Sequence, residues 1–330
     1  MPKAHILGTG ASVPKRVLSN EDLETIVDTS DKWITRRTGI KERRIASKAG
    51  NESTADLGTQ ASIKALDMAG VSPDTLDMIA VGTVTPDRQF PGVACMIQEQ
   101  LKANNAYAFD VSAGCSGFLY ALSMANDSIR AGSCDTALIV GAERLSSIVN
   151  WSDRGTCVLL ADGAGAVVVS SKETKGGILS THLQSDGRLW ELLYSSYGNS
   201  PPPEILHDLD TKPFHLKMEG NRLFKRAVEY LTAIAEKALQ HNKLTCDKIA
   251  LMVPHQANIR ILQAVVKNLA IPMEKVFINV QKYGNTSSAS IPIALDEANR
   301  NGLIKQGDHV LLIAFGAGLT WASAMVKWSI

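Results

Sequence analysis

Four segments in the first half of this 330-residue chain are answered, in the same order, by four in the second. The apolar run Leu76–Val84 follows a helical pattern ending near Gly70, and Lys248–His255 follows one ending near Gln240. Helical patterns near 91–102 and 257–269 come next. Tyr107–Val111 then leads to Cys115 as Val276–Val280 leads to Asn285, and Gly132–Ala142 is matched by Gly307–Ala317. Strand-like runs alternating with helical patterns predict an α/β fold. Their repetition predicts two similar duplicated halves, residues 1–174 and residues 175–330, with no flexible linker between them.

The repeat also says where chemistry should collect. In open α/β sheets, functional groups gather beyond the carboxyl ends of the strands. Two related halves packed about a pseudo-two-fold axis bring such ends together. Cys115 and Asn285 then become near-equivalent positions, and His255 enters from the second half. Cys115 lies in Asp110–Phe118, which reads as a strand turning through Gly114 into a helix. A helix N-terminus carries about half a positive charge and unpaired N–H groups. Both favour the thiolate, which is the reactive form of cysteine. His255 follows Pro254, which stiffens the strand exit, and precedes the polar Gln256 and Asn258.

Each of these residues has a plainer reading alone. Cysteine is usually a small buried hydrophobe, and Cys95, Cys134, Cys157 and Cys246 are assigned that role. The histidines at 5, 182, 207, 215, 241 and 309 read as surface or satisfied core residues. Asn285 sits in good turn chemistry, and Ser287, Ser288 and Ser290 after it would let a helix pack closely. The glycine-rich Ala314–Trp321 reads either as a hairpin or as backbone N–H groups aimed at an oxyanion. Gly8–Gly10 has Val13 and Pro14 where a dinucleotide loop would open a helix, and Asp162–Gly165 reads as a structural turn rather than a phosphate loop.

Trp33 beside Arg36, Arg37, Lys41, Arg43 and Arg44 forms a candidate stacking and phosphate-binding surface, with Arg154 as a second stacking group. The stretch 185–217, with Pro201–Pro203, reads as an irregular surface excursion. A net charge of +1 argues against nucleic acid as a partner. No apolar run approaches the roughly 20 residues of a membrane span. Five cysteines without a CxxC pair argue against a disulfide framework or a zinc site. With no signal peptide expected, a thiol-reducing cytoplasm is the predicted location.

Several motifs together resemble one family. They are Thr29–Trp33 with Arg37–Ile40, the Cys115 corner, Asp153–Thr156, His255–Asn258, Gly284–Ser287 and the closing Phe315–Trp321 turn. In their order and spacing they are similar to the β-ketoacyl-acyl carrier protein synthase III family, over nearly the whole chain. The resemblance implies a thiolase-like, five-layered αβαβα fold and a homodimer. It implies Cys115, His255 and Asn285 as the catalytic set, with the backbone N–H groups of Cys115 and Ala317 as oxyanion hole. Trp33 and Arg154 would sandwich the adenine of coenzyme A, with Arg37 and Asn258 on the rest of it. Phe90 would reach the acyl pocket across the dimer interface, while Lys225, Arg260 and Lys267 would dock the acidic carrier protein. Position 317 is Ala where relatives often carry Gly, and Asn268 stands where a second docking lysine can occur.

The implied reaction is the condensation of a short acyl-CoA with malonyl-acyl carrier protein through an acyl-cysteine, which starts fatty acid synthesis. It needs coenzyme A thioester as substrate but no metal or redox cofactor, because decarboxylation supplies the carbanion. Three alternatives stay open: a related condensing enzyme or acyltransferase of secondary metabolism, a cysteine hydrolase using Cys115 and His255, and a coenzyme A-binding scaffold with no activity.

Overall fold

Unbroken apolar runs mark strands covered on both faces, and the chain builds two sheets of this kind. The computed structural model describes residues 3–47, 50–172, 174–195 and 216–330. The first half runs β1 (His5–Ser12), β2 (Val17–Ser19), α1 (Asn20–Glu24), α2 (Asp31–Thr38), β3 (Glu42–Arg44), α3 (Thr54–Ala69), β4 (Met78–Gly82), α4 (Val93–Leu101), β5 (Tyr107–Val111), α5 (Gly117–Ala131), β6 (Thr136–Arg144), α6 (Arg154–Cys157) and β7 (Asp162–Ser170). The second runs β8 (Gly177–Ser185), β9 (Leu193–Ser195), β10 (Leu216–Met218), α7 (Gly220–His241), β11 (Leu251–Pro254), α8 (Ile259–Leu269), α9 (Val280–Tyr283), α10 (Ser290–Arg300), β12 (His309–Gly316) and β13 (Thr320–Lys327).

The main sheets have the orders β1-β7-β6-β4-β5 and β8-β13-β12-β11. Directions repeat as well. β1/β7 and β7/β6 are antiparallel and β6/β4 and β4/β5 parallel, just as β8/β13 and β13/β12 are antiparallel and β12/β11 parallel. The duplication expected from the sequence is therefore present in topology, with one correction. Val276–Val280 does not form the fifth strand: Val276 makes only an isolated bridge to Met252. The buried Gln256 side chain braces this edge instead. Its Nε2 donates to the carbonyls of Pro254 and Phe277, and its Oε1 accepts from the N–H groups of Asn279 and Val280.

Alternation along the strands sorts side chains into layers. On β6, Ala137 and Ile139 join the central core while Leu138 and Val140 face outward. On β12, Val310, Leu312 and Ala314 point to the centre, and Leu311, Ile313 and Phe315 point outward. α5 and α10 fill the space between the sheets, α3 and α4 cover the outer face of the first, and α7 and α8 cover the second. This is the five-layered thiolase-like αβαβα arrangement. Local signals support it: Ser53 and Asp56 form a capping box on α3, and Gly132 ends α5 in the left-handed region at φ 74°.

Three smaller expectations change. Asp162–Gly165 is the start of β7, not a turn, because its small residues admit Pro292 and Ile293 of α10. Cys95 is exposed rather than buried. Arg43 leaves the surface cluster altogether: it is fully buried, and its guanidinium donates to Leu18 O, Asn20 Oδ1 and Val158 O. Within the 185–217 excursion, Leu193–Ser195 pairs with Leu216–Met218, and residues 196–215, including His207, His215 and Pro201–Pro203, lie outside the described residues.

Candidate active site

The two halves meet through backbone. A Cβ on Gly316 would lie 2.3 Å from Cys115 N, and one on Gly114 would lie 2.5 Å from Ala317 N. Only glycine permits so close an approach, so the Cys115 corner and the β12–β13 turn are pressed together. Side chains stitch the contact. Ser288 Oγ donates to Gly114 O (2.8 Å), Thr320 Oγ1 to Ala113 O (2.7 Å) and Ser116 Oγ to Thr320 O (3.1 Å). The Ala314–Trp321 run is thus a hairpin turn whose backbone faces Cys115. Left-handed backbone in this turn falls on Gly318 (φ 132°) rather than on Ala317. Alanine therefore serves at 317 without strain.

A cavity of about 480 Å³ opens at this contact. Cys115, His255, Asn285, Ser287 and Ala317 all line it, which brings together the three side chains expected from the sequence. Gly114, at φ 54°, turns the chain from β5 towards α5, and Ser116 stands at the first position before that helix without a side-chain capping bond, so Cys115 lies just ahead of its N-terminus. The thiolate expected from that placement is not favoured at rest. Burial pushes the Cys115 thiol up to about 12, against a smaller opposing pull from the Ser287 hydroxyl. Desolvation of the anion outweighs the helix end.

His255 follows the last residue of β11 and is 3% exposed. Burial pushes its imidazole down to about 4, so the ring is neutral. Its Nδ1 lies 2.7 Å from Ser290 Oγ, which also accepts the Gln256 N–H at 3.2 Å. Donation of the Ser290 hydroxyl proton to Nδ1 would place the ring proton on Nε2. Asn285 is held by backbone bonds to the segment ending α6: its N–H donates to Leu159 O and its carbonyl accepts from Ala161 N, both at 2.9 Å. Its Oδ1 accepts Ser287 N–H at 2.8 Å. The amide nitrogen is left as the side chain's donor into the cavity.

Trp33 stands on α2, whose N-terminus Ser30 caps. Arg154 lies over its ring at 4.8 Å and Arg37 at 5.8 Å. The stack of Trp33 on Arg154 is closed, so an adenine entering between them must part the pair. Arg154 is also tied to Asp28 O at 2.7 Å. Asn258 lines the cavity but caps α8, its Oδ1 accepting Arg260 N–H and its Nδ2 donating to Arg37 O. Lys225, Arg260 and Lys267 are exposed on α7 and α8, with Arg260 over the Phe224 ring. Phe90 is 82% exposed and does not line the cavity.

Sequence reasoning assigned no chemistry to Ser287, Ser290, Gln256 or Glu143. The serine cluster was visible as a close-packing signal, and a glutamate ending the apolar β6 was the signal for a buried carboxyl.

Residues 109–187 match the family described as 3-oxoacyl-[acyl-carrier-protein] synthase III, and residues 239–328 match its C-terminal family. The chain is 52% identical to a β-ketoacyl-[acyl-carrier-protein] synthase III of Caldanaerobacter subterraneus, over 99% of this chain and 98% of the relative. It is 48% identical to the enzyme of that name from Aquifex aeolicus, over 98% and 99%. A crystal structure of the Aquifex aeolicus 3-oxoacyl-[acyl-carrier-protein] synthase III superposes with a TM-score of 0.91 at 48% identity, covering 98% of this chain and all of that one. The priming β-ketosynthase of a polyketide pathway superposes at 0.89 with 35% identity, covering 100% and 98%. With such identity along the whole of its length, the chain belongs to the β-ketoacyl-acyl carrier protein synthase III family.

Proposed function

We propose that the chain joins a short acyl-CoA to malonyl-acyl carrier protein by decarboxylative Claisen condensation, initiating fatty acid synthesis. One observation carries this reading: a thiol, an imidazole and a side-chain amide share one chamber with two facing backbone turns. A hydrolase would need the thiol and a base but no side-chain amide beside them, and Asn285 lines the same chamber.

Cys115 attacks the acyl-CoA thioester, expels coenzyme A and keeps the acyl group. The N–H groups of Cys115 and Ala317 hold the tetrahedral oxyanion, each donor being worth about 3–4 kcal/mol. The malonyl thioester carbonyl then accepts hydrogen bonds from His255 Nε2 and Asn285 Nδ2. Loss of CO2 leaves an enolate whose charge rests on that oxygen, and its carbon attacks the acyl-cysteine. A 3-oxoacyl thioester leaves. His255 needs no charge in this step, in keeping with its burial.

Trp33, Arg154, Arg37 and Asn258 are assigned to coenzyme A, and the exposed Lys225, Arg260 and Lys267 to the acidic carrier protein. The chain works as a homodimer in this reading. β5 is an edge strand on which Tyr107 and Phe109 stack, and Phe90 is exposed where a second copy would take it into its own acyl pocket. The halves divide at 174/175, in the segment joining β7 to β8. All five cysteines are free, as a reducing cytoplasm requires, and among the described residues no helix is long and apolar enough to cross a membrane.

Intact-mass measurement after incubation with acyl-CoAs of graded length tests the reading. One acyl group should appear on the protein, be absent in Cys115→Ala, and leave as 3-oxoacyl-carrier protein when malonyl-carrier protein is added. Release as free acid, or no labelling by any acyl-CoA, would refute it.

A further inference from the structure

The resting thiol lacks a base. In the condensation proposed above His255 serves as a donor through Nε2, and its Nδ1 is occupied by Ser290. Glu143 ends the apolar face of β6 and is fully buried. Its Oε2 accepts from Thr85 Oγ1 (2.5 Å), Val84 N (3.1 Å) and Thr83 Oγ1 (3.3 Å). Three donors on one oxygen suit a carboxylate. Its other oxygen, Oε1, is buried without a hydrogen-bond partner, and so is the hydroxyl of Ser287.

Ser287 lines the cavity with Cys115, and its turn, residues 287–289, packs on the β6 strand that carries Glu143, which sets its hydroxyl near both groups. It favours the charged form of the Cys115 sulfur on one side and of the Glu143 carboxyl on the other. Neither contact closes to full hydrogen-bond geometry at rest, so the group is placed to turn either way. Ser287 is itself held at φ 49°, in the left-handed region that a serine rarely adopts. Backbone strain kept at a buried position is a mark of function. The strained backbone also sends Ser287 N–H to Asn285 Oδ1, so one residue touches both halves of the chemistry.

We propose that Glu143, acting through Ser287, takes the Cys115 proton during acylation and stores it until the condensation is complete. The Cys115 S–H proton passes to Ser287 Oγ as Ser287 passes its own hydroxyl proton to Glu143 Oε1. The freed sulfur lone pair forms the S–C bond to the thioester carbonyl. When the tetrahedral intermediate collapses, its C–S bond to coenzyme A breaks, and the coenzyme A thiolate leaves to be protonated by solvent. Glu143 is then neutral while the enolate forms. When the enolate carbon displaces Cys115, the departing thiolate recovers its proton from Glu143 through Ser287. One proton is consumed per turnover, the one that coenzyme A takes from water.

Charge explains why a shared proton suits this site. Burial raises the proton affinity of both the thiol and the carboxyl, and the Glu143 charge opposes a thiolate at Cys115. The chamber therefore holds one negative charge better than two, and the transfer moves that charge without adding one. Two groups so coupled titrate as a pair. Glu143 is a positioning residue in this scheme, because it reaches the sulfur only through Ser287.

The proposal rests on Cys115 being acylated, so the test separates the two. Alkylation of Cys115 by iodoacetamide is followed against pH, alongside single-turnover acylation by acyl-CoA and malonyl decarboxylation. In the parent protein the alkylation rate should be flat around neutrality. In Glu143→Gln it should rise about tenfold per pH unit, since only solvent can take the proton. Acylation at neutral pH should fall by about 10² or more, the usual scale of lost proton transfer, while decarboxylation falls far less. Ser287→Ala removes only the relay hydroxyl, keeps the backbone N–H, and should give the same split; it decides the matter if Glu143→Gln does not fold. Parent-like alkylation profiles in these variants, or equal loss of acylation and decarboxylation, would overturn the relay. Failure of the parent itself to acylate would instead overturn the function proposed above.

Discussion

Ser287 donates its backbone N–H to Asn285 Oδ1 across 2.8 Å, and this single bond decides which end of the amide faces substrate. Replacing Asn285 by Asp keeps the shape and the accepted bond. It removes the donor and adds a negative charge where the enolate develops. Malonyl decarboxylation should fall by about 10²–10³, with acylation of Cys115 reduced far less. A stopped assay for released CO2 reads the first, and intact mass reads the second.

Ser290 Oγ anchors the His255 ring through Nδ1 at 2.7 Å. Ser290→Ala would leave the ring Nδ1 and the Gln256 N–H without their partner in a buried position. The expected loss of stability is about 1–3 kcal/mol, read by denaturant unfolding. The same variant should slow decarboxylation more than acylation, because the ring loses its anchor and the thiol does not.

The neutral His255 makes a stability prediction of definite sign. Its folded value is lowered by burial to about 4, from an ordinary value of 6.5. The unfolded chain therefore binds the extra proton first as pH falls. Stability from this group is whole above about pH 6.5 and is lost progressively down to about pH 4, by about 3 kcal/mol in all. Thermal unfolding of the parent and of His255→Asn across that window should show the acid slope shrinking in the variant. Equal slopes would mean that the ring is not buried neutral.

Gly316 has no space for a side chain. A methyl group there would meet Cys115 N at 2.3 Å and Cys115 Cα at 3.0 Å, both main-chain atoms of the facing turn. Gly316→Ala should separate the two turns, costing about 1–3 kcal/mol of stability and most of the acylation rate. Single-turnover acylation with a thermal melt checks both.

In the proposed reading Trp33 takes the adenine of coenzyme A on a face that Arg154 covers in the free protein. Trp33→Ala should raise KM for acyl-CoA several-fold, matching about 1 kcal/mol of lost stacking, with kcat nearly unchanged. A fall in kcat with constant KM would place Trp33 outside the coenzyme site.

Much of the fold was legible before any coordinates. Unbroken apolar runs and their repetition record layer, order and duplication, because both faces of each strand must be covered. The edge of the second sheet was not legible. Val276–Val280 has strand composition, and only the side chain of Gln256, folded back from β11, takes the hydrogen bonds that a full pairing would have used. Arg43 was misread for a similar reason: a charge next to other charges in sequence says nothing of the Leu18, Asn20 and Val158 oxygens that bury it.

The chemistry divides in the same way. Residue types and their order placed a cysteine and a histidine just beyond two strands of a doubled α/β unit, and an asparagine in a turn at the matching place of the repeat, since strand ends and glycine corners are local properties. Tertiary structure alone decided their states. Burial turns the thiolate expected at a helix end into a thiol and leaves the imidazole neutral. Packing also sets Ser287 and Ser290 from one stretch of chain, and Glu143 from another, around them. Solvation and long-range contact fix a proton's position, and neither is written in the spacing of residues along a sequence.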